Sequence, residues 1–269
     1  PSFANKQPGP EVSALKILEC LKEHSDITTI IAALESTSVY SIHIANYLSS
    51  CEELMRFIPY VFVLNPKCTA NYKKSYIGLG KSDPIDAFVI ADYARAGNIE
   101  SEPWRGSQFL ALKRLTRHRL HLVECMTREK TYLVSNLYLK FSELQMLEGD
   151  DQPFCDIYGA TSSSVLMEYF SPEEILDSSE EDLIAFLAKK SRNRIKDISK
   201  TADLLKKAAR DSYRLDKALY EPLNVSIASS FNCIETFKRE IKVIDNAIEK
   251  EIKGLNPNAF IILQSIDGI

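Results

Sequence analysis

Two aspartates, Asp83 and Asp86, stand three residues apart in the stretch KSDPIDAFVIADYARAG, at the opening of an otherwise apolar helix. That spacing puts both carboxylates on one helix face within a turn, the arrangement in which two hard oxygens can share a divalent cation. The same residues also read as a helix start, with Asp83 as N-cap, Pro84 at the first helical position and Asp86 as the acid of a capping box. The two readings are compatible. A third acid, Glu35, closes the β-branched run ITTIIAALE. Open α/β sheets place ligand-contacting residues at the carboxyl ends of their strands; the alternative is an exposed strand-end acid or a cap for the following helix. Three carboxylates brought together without counter-charge repel one another, so such a site calls for a cation, and oxygen ligands select magnesium or manganese. Phosphodiester chemistry with two ions uses three or four acids.

The elements that must position these acids alternate over the first hundred residues. SALKILECLKEH is spaced as a helix with Ser13 as its cap, ITTIIAALE and YVFVLN read as buried strands, and SVYSIHIANYLSS is a helix between them. The helix from Asp83 to Ala96 is closed by Gly97. A helical crossover between two strands implies parallel neighbours in one sheet. Residues 1–104 are thus expected to form an α/β domain. From Ser107 the period changes: Leu112, Leu115, Leu122 and Leu133 to Leu144 make the seam of a helix of about ten turns, and Ile227 to Leu255 make a second. Two such seams predict a long antiparallel coiled coil over 105–256, formed within the chain or between chains. Residues 149–224 are expected as a helical insertion at its tip, with helix starts at Ser171 and near Glu181, and 257–269 as the opening of a further domain.

Charge is segregated along the chain. The net charge of −4 argues mildly against nucleic acid as a partner, yet residues 143–184 hold twelve Asp/Glu and no Lys/Arg, while 189–217 hold eleven Lys/Arg against four Asp. Arg105 to Lys130 carries seven Lys/Arg and two His against two Glu. Arg114, Arg117, Arg119, Arg128 and Lys130 on this helix are candidates for pairing with the phosphates and bases of a folded RNA, the alternative being a solvated face. The basic run from Lys189 is a second candidate surface. Trp104 reads as core or junction packing. Six scattered cysteines without a CxxC pair, and four histidines without an HExxH pattern, point to reduced thiols and away from zinc. The longest apolar runs are too short to cross a bilayer and no cleavable signal opens the chain, so a cytoplasmic protein with no membrane partner is expected.

In order and spacing, LESTSVY, VLNP, KSDPIDAFVIADYAR, LKRLTRHRLHLVECMTREKTYLVSNL and LQSIDGI resemble the bacterial DEDD transposases of the insertion-sequence one-ten family. The resemblance implies a RuvC-like, ribonuclease-H-like nuclease domain, a coiled coil, a C-terminal domain with a nucleophilic serine, and a structured bridge RNA that guides recombination of DNA. By position Glu35 matches the family's second acid, and Asp83 and Asp86 its third and fourth. These three are therefore expected as catalytic residues and as ligands of Mg²⁺ or Mn²⁺. The first acid, in a motif like G-x-D-x-S-K, has no match, and the resemblance stops before the serine, so a fragment truncated at both ends and inactive alone is expected. Two positions depart from the family: Ser38 replaces the glycine of E-x-T-G-x-Y, and Asp267 stands where proline is usual. The leading expectation is a transposase acting on DNA with a guide RNA, assembled as a homodimer or larger homo-oligomer through the coiled coil. The alternatives are a noncatalytic RNA-binding or assembly protein of transposase descent, and a Holliday-junction-type resolvase.

Overall fold

The computed structural model describes residue 6 and residues 8–266. It divides into two compact units, Pro1–Lys113 and Arg114–Ile269, and is a mostly helical chain with a small parallel sheet, an α/β layer followed by helices.

In the first unit, α1 (Pro8–Lys22) leads to β1 (Ile30–Glu35), and α2 (Tyr40–Ser50) with the single-turn α3 (Glu52–Met55) carries the chain to β2 (Pro59–Leu64). The strands pair in parallel, from Ile30 opposite Pro59 to Glu35 opposite Leu64. This is the pairing that the helical crossover predicts. Ala14, Ala45, Leu48, Leu54 and Val61 form the core between the helices and the sheet. Trp104 packs against it, donating Nε1 to Asn46 Oδ1 at 2.8 Å and its backbone N–H to Val61 O at 2.6 Å. The strands are less buried than their β-branched composition suggests. Successive side chains point to opposite faces, and the outward Ile31 and Tyr60 are exposed.

Beyond β2 come α4 (Pro66–Lys73) and α5 (Asp83–Arg95). Asn65 caps α4 by accepting from Lys67 N at 3.0 Å, with Pro66 at the first helical position. Gly97, at φ 77°, ends α5; Gly97 N donates to Ala94 O and Asn98 N to Tyr93 O. Two expected caps differ. Ser13 lies inside α1, which starts at Pro8, and Asp83 is the first residue of α5 after the extended Ser82, which makes no side-chain cap bond.

The division between the units falls within α6 (Ser107–Lys140). Four short helices follow, α7 (Ala160–Glu168), α8 (Pro172–Asp177), α9 (Glu180–Ser191) and α10 (Ile198–Asp211), before α11 (Lys217–Leu255) and α12 (Pro257–Gln264). In the second unit α6 and α11 run antiparallel. Arg119 pairs with Asp245, Lys140 with Asn224, and the two pairs are equally spaced along opposite directions. Leu133, Leu137 and Phe141 of α6 share a core with Ile227, Phe231 and Ile234 of α11. α10 buries Ala202, Leu205, Ala208 and Ala209 in the same core.

Some of the insertion's opposite charges pair with one another. Lys190 pairs with Glu168, Arg214 with Glu173 at 2.8 Å, Lys207 with Asp151 at 4.0 Å, and Lys206 donates to Ser178 O at 2.8 Å. Part of the basic run from Lys189 thus folds against the acidic run before it. Among the described residues no helix is long and apolar enough to cross a membrane. Asp267 lies outside the described residues.

Candidate functional site

Glu35 is the last residue of β1, and the strand places its carboxylate over the start of α4. Thr69 Oγ1, buried on α4, lies 3.1 Å from Glu35 Oε2 and 3.1 Å from Pro66 O, so its one proton is shared between them. Thr37 Oγ1 donates to Glu35 Oε1 at 3.3 Å. One helical turn beyond Thr69, Lys73 extends its ammonium to Asp86 Oδ1 on α5, at 2.5 Å. Glu35, Thr69, Lys73, Lys81 and Asp86 line one open cleft of 510 Å³, with Val89 buried beside it. Asp83 is exposed at the head of α5 and is not among the residues lining the cleft.

The structure thus brings two of the three expected acids to one place, together with two lysines. The donor chemistry of Glu35 and Asp86 suits a hard cation, but their number does not enclose one. Among the described residues no group of three or more His, Cys, Asp or Glu could hold a metal ion. Asp86 already has a monovalent cation, the Lys73 ammonium, in contact. As they stand these residues do not fit a Mg²⁺ or Mn²⁺ centre.

Lys73 and Thr69 went unread in the sequence because α4 did. The signal was present: Asn65-Pro66 is an N-cap followed by proline, and a helix from there sets Thr69 and Lys73 on one face. A second unread feature joins α5 to α4 and the turn that follows it. Asp92 on α5 accepts from Tyr72 Oη at 2.8 Å, from Tyr76 Oη, and from Arg95 through Nε at 2.8 Å and Nη2 at 2.6 Å. The Tyr76 and Tyr72 hydroxyls and the Arg95 guanidinium hold Asp92 down at about 2, and the hydrogen bond to Asp92 pushes the Tyr76 phenol above its ordinary range. Edge-to-face contacts run from Tyr93 to Tyr72, Tyr72 to Tyr76 and Tyr76 to Phe88.

Of the candidate RNA-binding residues, Arg114, Arg117 and Arg128 are exposed on α6. Arg119 is engaged by Asp245 at 2.5 Å. Lys130 is half-buried, its ammonium 4.6 Å from the centre of the Tyr158 ring. Three of the five candidates, Arg114, Arg117 and Arg128, thus lie outside these contacts, the Arg128 guanidinium resting on its own helix at Glu124 O and Cys125 Sγ.

Comparison with known families adds what the geometry alone does not. A transposase family model matches residues 2–142, more than half of the chain. The chain belongs to this family, the DEDD transposases of the insertion-sequence one-ten type. No curated protein matches it.

Proposed function

We propose that this chain is the nucleic-acid-binding part of a DNA transposase, in which the cleft between β1, α4 and α5 receives a DNA phosphodiester and the exposed arginines of α6 bind a structured guide RNA. The observation that carries the reading is the meeting of Glu35 and Asp86 in one cleft, within the segment that matches the transposase family. A phosphate can approach two carboxylates only with positive charge between them. Lys73 and Lys81 supply that charge in this chain. The proposal includes a ribonuclease-H-like ancestry for the sheet and supercoiling of α6 on α11, both supported by the family match and the antiparallel helix pair.

The contact between Lys73 and Asp86, and the absence of a three-acid group among the described residues, favour one second reading. In it the chain binds RNA and DNA and assembles without cleaving. The test is a binding titration of labelled duplex DNA against the whole chain and the Lys73→Glu, Lys81→Glu double variant. Salt-dependent binding that collapses in the variant is expected. Binding of equal strength in the two proteins would remove the cleft from the DNA path. Strand cleavage of plasmid DNA by the same preparation, with and without Mn²⁺, then separates the two readings.

A further inference from the structure

Away from the cleft, the second unit holds an open cavity of 350 Å³ bounded by α6, the helical turn Ser142–Gln145 and the segment that leads into α7. Pockets for small ligands run from about 300 to 1,000 Å³. Leu144, Phe154 and Tyr158 supply apolar and aromatic lining, and Gln145, Gln152 and Asp156 supply the polar part. Both carboxamides have their nitrogens engaged: Gln145 Nε2 donates to Val134 O at 2.7 Å and Gln152 Nε2 to Leu147 O at 2.8 Å. Their oxygens face the ligand chemistry as acceptors. Asp156 is exposed, and its Oδ1 accepts from Tyr158 N at 2.9 Å, which leaves the carboxylate with lone pairs for further donors. Gly159 N donates to Asp156 O at 3.0 Å, so the segment is fixed on both sides of Tyr158. Rings beside acceptors call for a flat ligand that brings its own donors.

Among the four RNA bases, guanine alone sets two N–H donors side by side on its pairing edge, N1–H and N2–H, and these match the two oxygens of a carboxylate. Adenine and cytosine place a ring-nitrogen acceptor next to their amino group, where a carboxylate repels it. Uracil offers one N–H between two carbonyls. An arginine guanidinium also carries paired donors, but cations already stand here. Lys130 Nζ of α6 lies 4.6 Å from the centre of the Tyr158 ring, and Lys238 of α11, which also pairs with Glu235, donates to Tyr158 O at 3.2 Å. Two ammoniums favour a ligand that carries a phosphate over one that carries a positive charge.

We infer that this cavity binds a guanine base carried on a phosphate, with N1–H and N2–H on the Asp156 carboxylate and the ring against Phe154 and Tyr158. A free guanine nucleotide and an unpaired guanosine in RNA supply the same chemistry. Only the second source rests on the RNA reading of α6.

The experiment uses the whole chain and its Asp156→Asn variant, in which Asn keeps an acceptor for Tyr158 N and the local turn is preserved. Guanosine, inosine and adenosine monophosphates and arginine amide are titrated calorimetrically, and labelled RNAs UUGUU and UUAUU by fluorescence anisotropy. Guanosine monophosphate is expected to bind at least about tenfold more tightly than adenosine monophosphate, the discrimination of a bidentate base contact, with inosine monophosphate between them because it lacks the N2 amine. Asp156→Asn should erase the preference while leaving thermal unfolding unchanged. UUGUU bound much more tightly than guanosine monophosphate, with the same Asp156 dependence, identifies RNA as the source; equal affinities identify the free nucleotide. Equal binding of the guanosine and adenosine nucleotides, a preference that survives Asp156→Asn, arginine amide bound as well as guanosine monophosphate, or binding of neither guanine probe would each overturn the inference. Guanine-dependent nucleotide binding in a chain whose RNA titrations ignore Arg114, Arg117 and Arg128 would uphold the cavity and remove only the RNA reading of α6.

Discussion

Lys140 is wholly buried in the second unit, 1% exposed, and its ammonium donates to Leu166 O at 2.6 Å, Tyr169 O at 2.7 Å and Asn224 Oδ1. It thereby closes the C-terminal end of α7, whose last carbonyls lack intrahelical donors, and ties that end to α6 and α11. Lys140→Met keeps the stem length and removes all three donors. Each acceptor left buried without a partner costs about 1–3 kcal/mol. The loss is offset by the burial penalty of the charge, which pushes the ammonium down to about 8. Between that value and the ordinary 10.5 the difference corresponds to about 3 kcal/mol. A net destabilisation of about 2–3 kcal/mol at pH 7 is expected, below the cost of stranding a charge because only neutral acceptors remain.

The pH dependence has a definite sign. Below pH 8 both folded and unfolded chains carry the proton, and the folded state bears the full burial penalty. From about pH 8 to 10.5 the folded chain releases it while the unfolded chain keeps it, so stability rises with pH for wild type and not for Lys140→Met. The cost of the substitution should therefore grow through this window. Urea unfolding at pH 7 and pH 10, followed by hydrogen exchange in peptides covering 133–141 and 224–234, isolates the second unit. A variant as stable as wild type at pH 7, or a cost that shrinks towards pH 10, would refute the reasoning.

Replacing Arg114, Arg117 and Arg128 with glutamine should weaken binding to structured RNA and flatten its salt slope by roughly one unit or somewhat less per lost phosphate contact; an unchanged slope in anisotropy titrations would reduce these arginines to a solvated face. Calorimetric titration with Mn²⁺ should find weak binding that Glu35→Gln with Asp86→Asn abolishes, because two carboxylates and a competing Lys73 cannot enclose the ion. Ser38 adopts φ 54°, a left-handed backbone that costs a side-chain-bearing residue roughly 1–2 kcal/mol. Ser38→Gly should raise stability by about 0.5–1 kcal/mol after the greater freedom of the unfolded chain is deducted, and Ser38→Val should lower it, both read by urea unfolding.

What the sequence made legible follows from how local each signal is. The parallel strands, the helix that Gly97 closes and the two long helices α6 and α11 are written in period and punctuation, and the structure shows each of them. Ser38 was noted only as a departure from a motif that has glycine there; its positive φ shows a backbone that glycine adopts without strain. Contacts between distant segments had no such signal. Thirteen residues separate Lys73 from Asp86 and twenty separate Tyr72 from Asp92, and only the turn between α4 and α5 brings them together. For the same reason a linear count of charge cannot show that Lys190, Lys207 and Arg214 meet Glu168, Asp151 and Glu173. Exposed charge is therefore a weaker guide to a binding surface than charge counted after its internal pairs are removed. By that measure Arg114, Arg117 and Arg128 of α6 and Lys81 of the cleft stand apart from the paired Lys190, Lys207 and Arg214, and under the proposed function these are the positions where substitution should change binding without changing the fold.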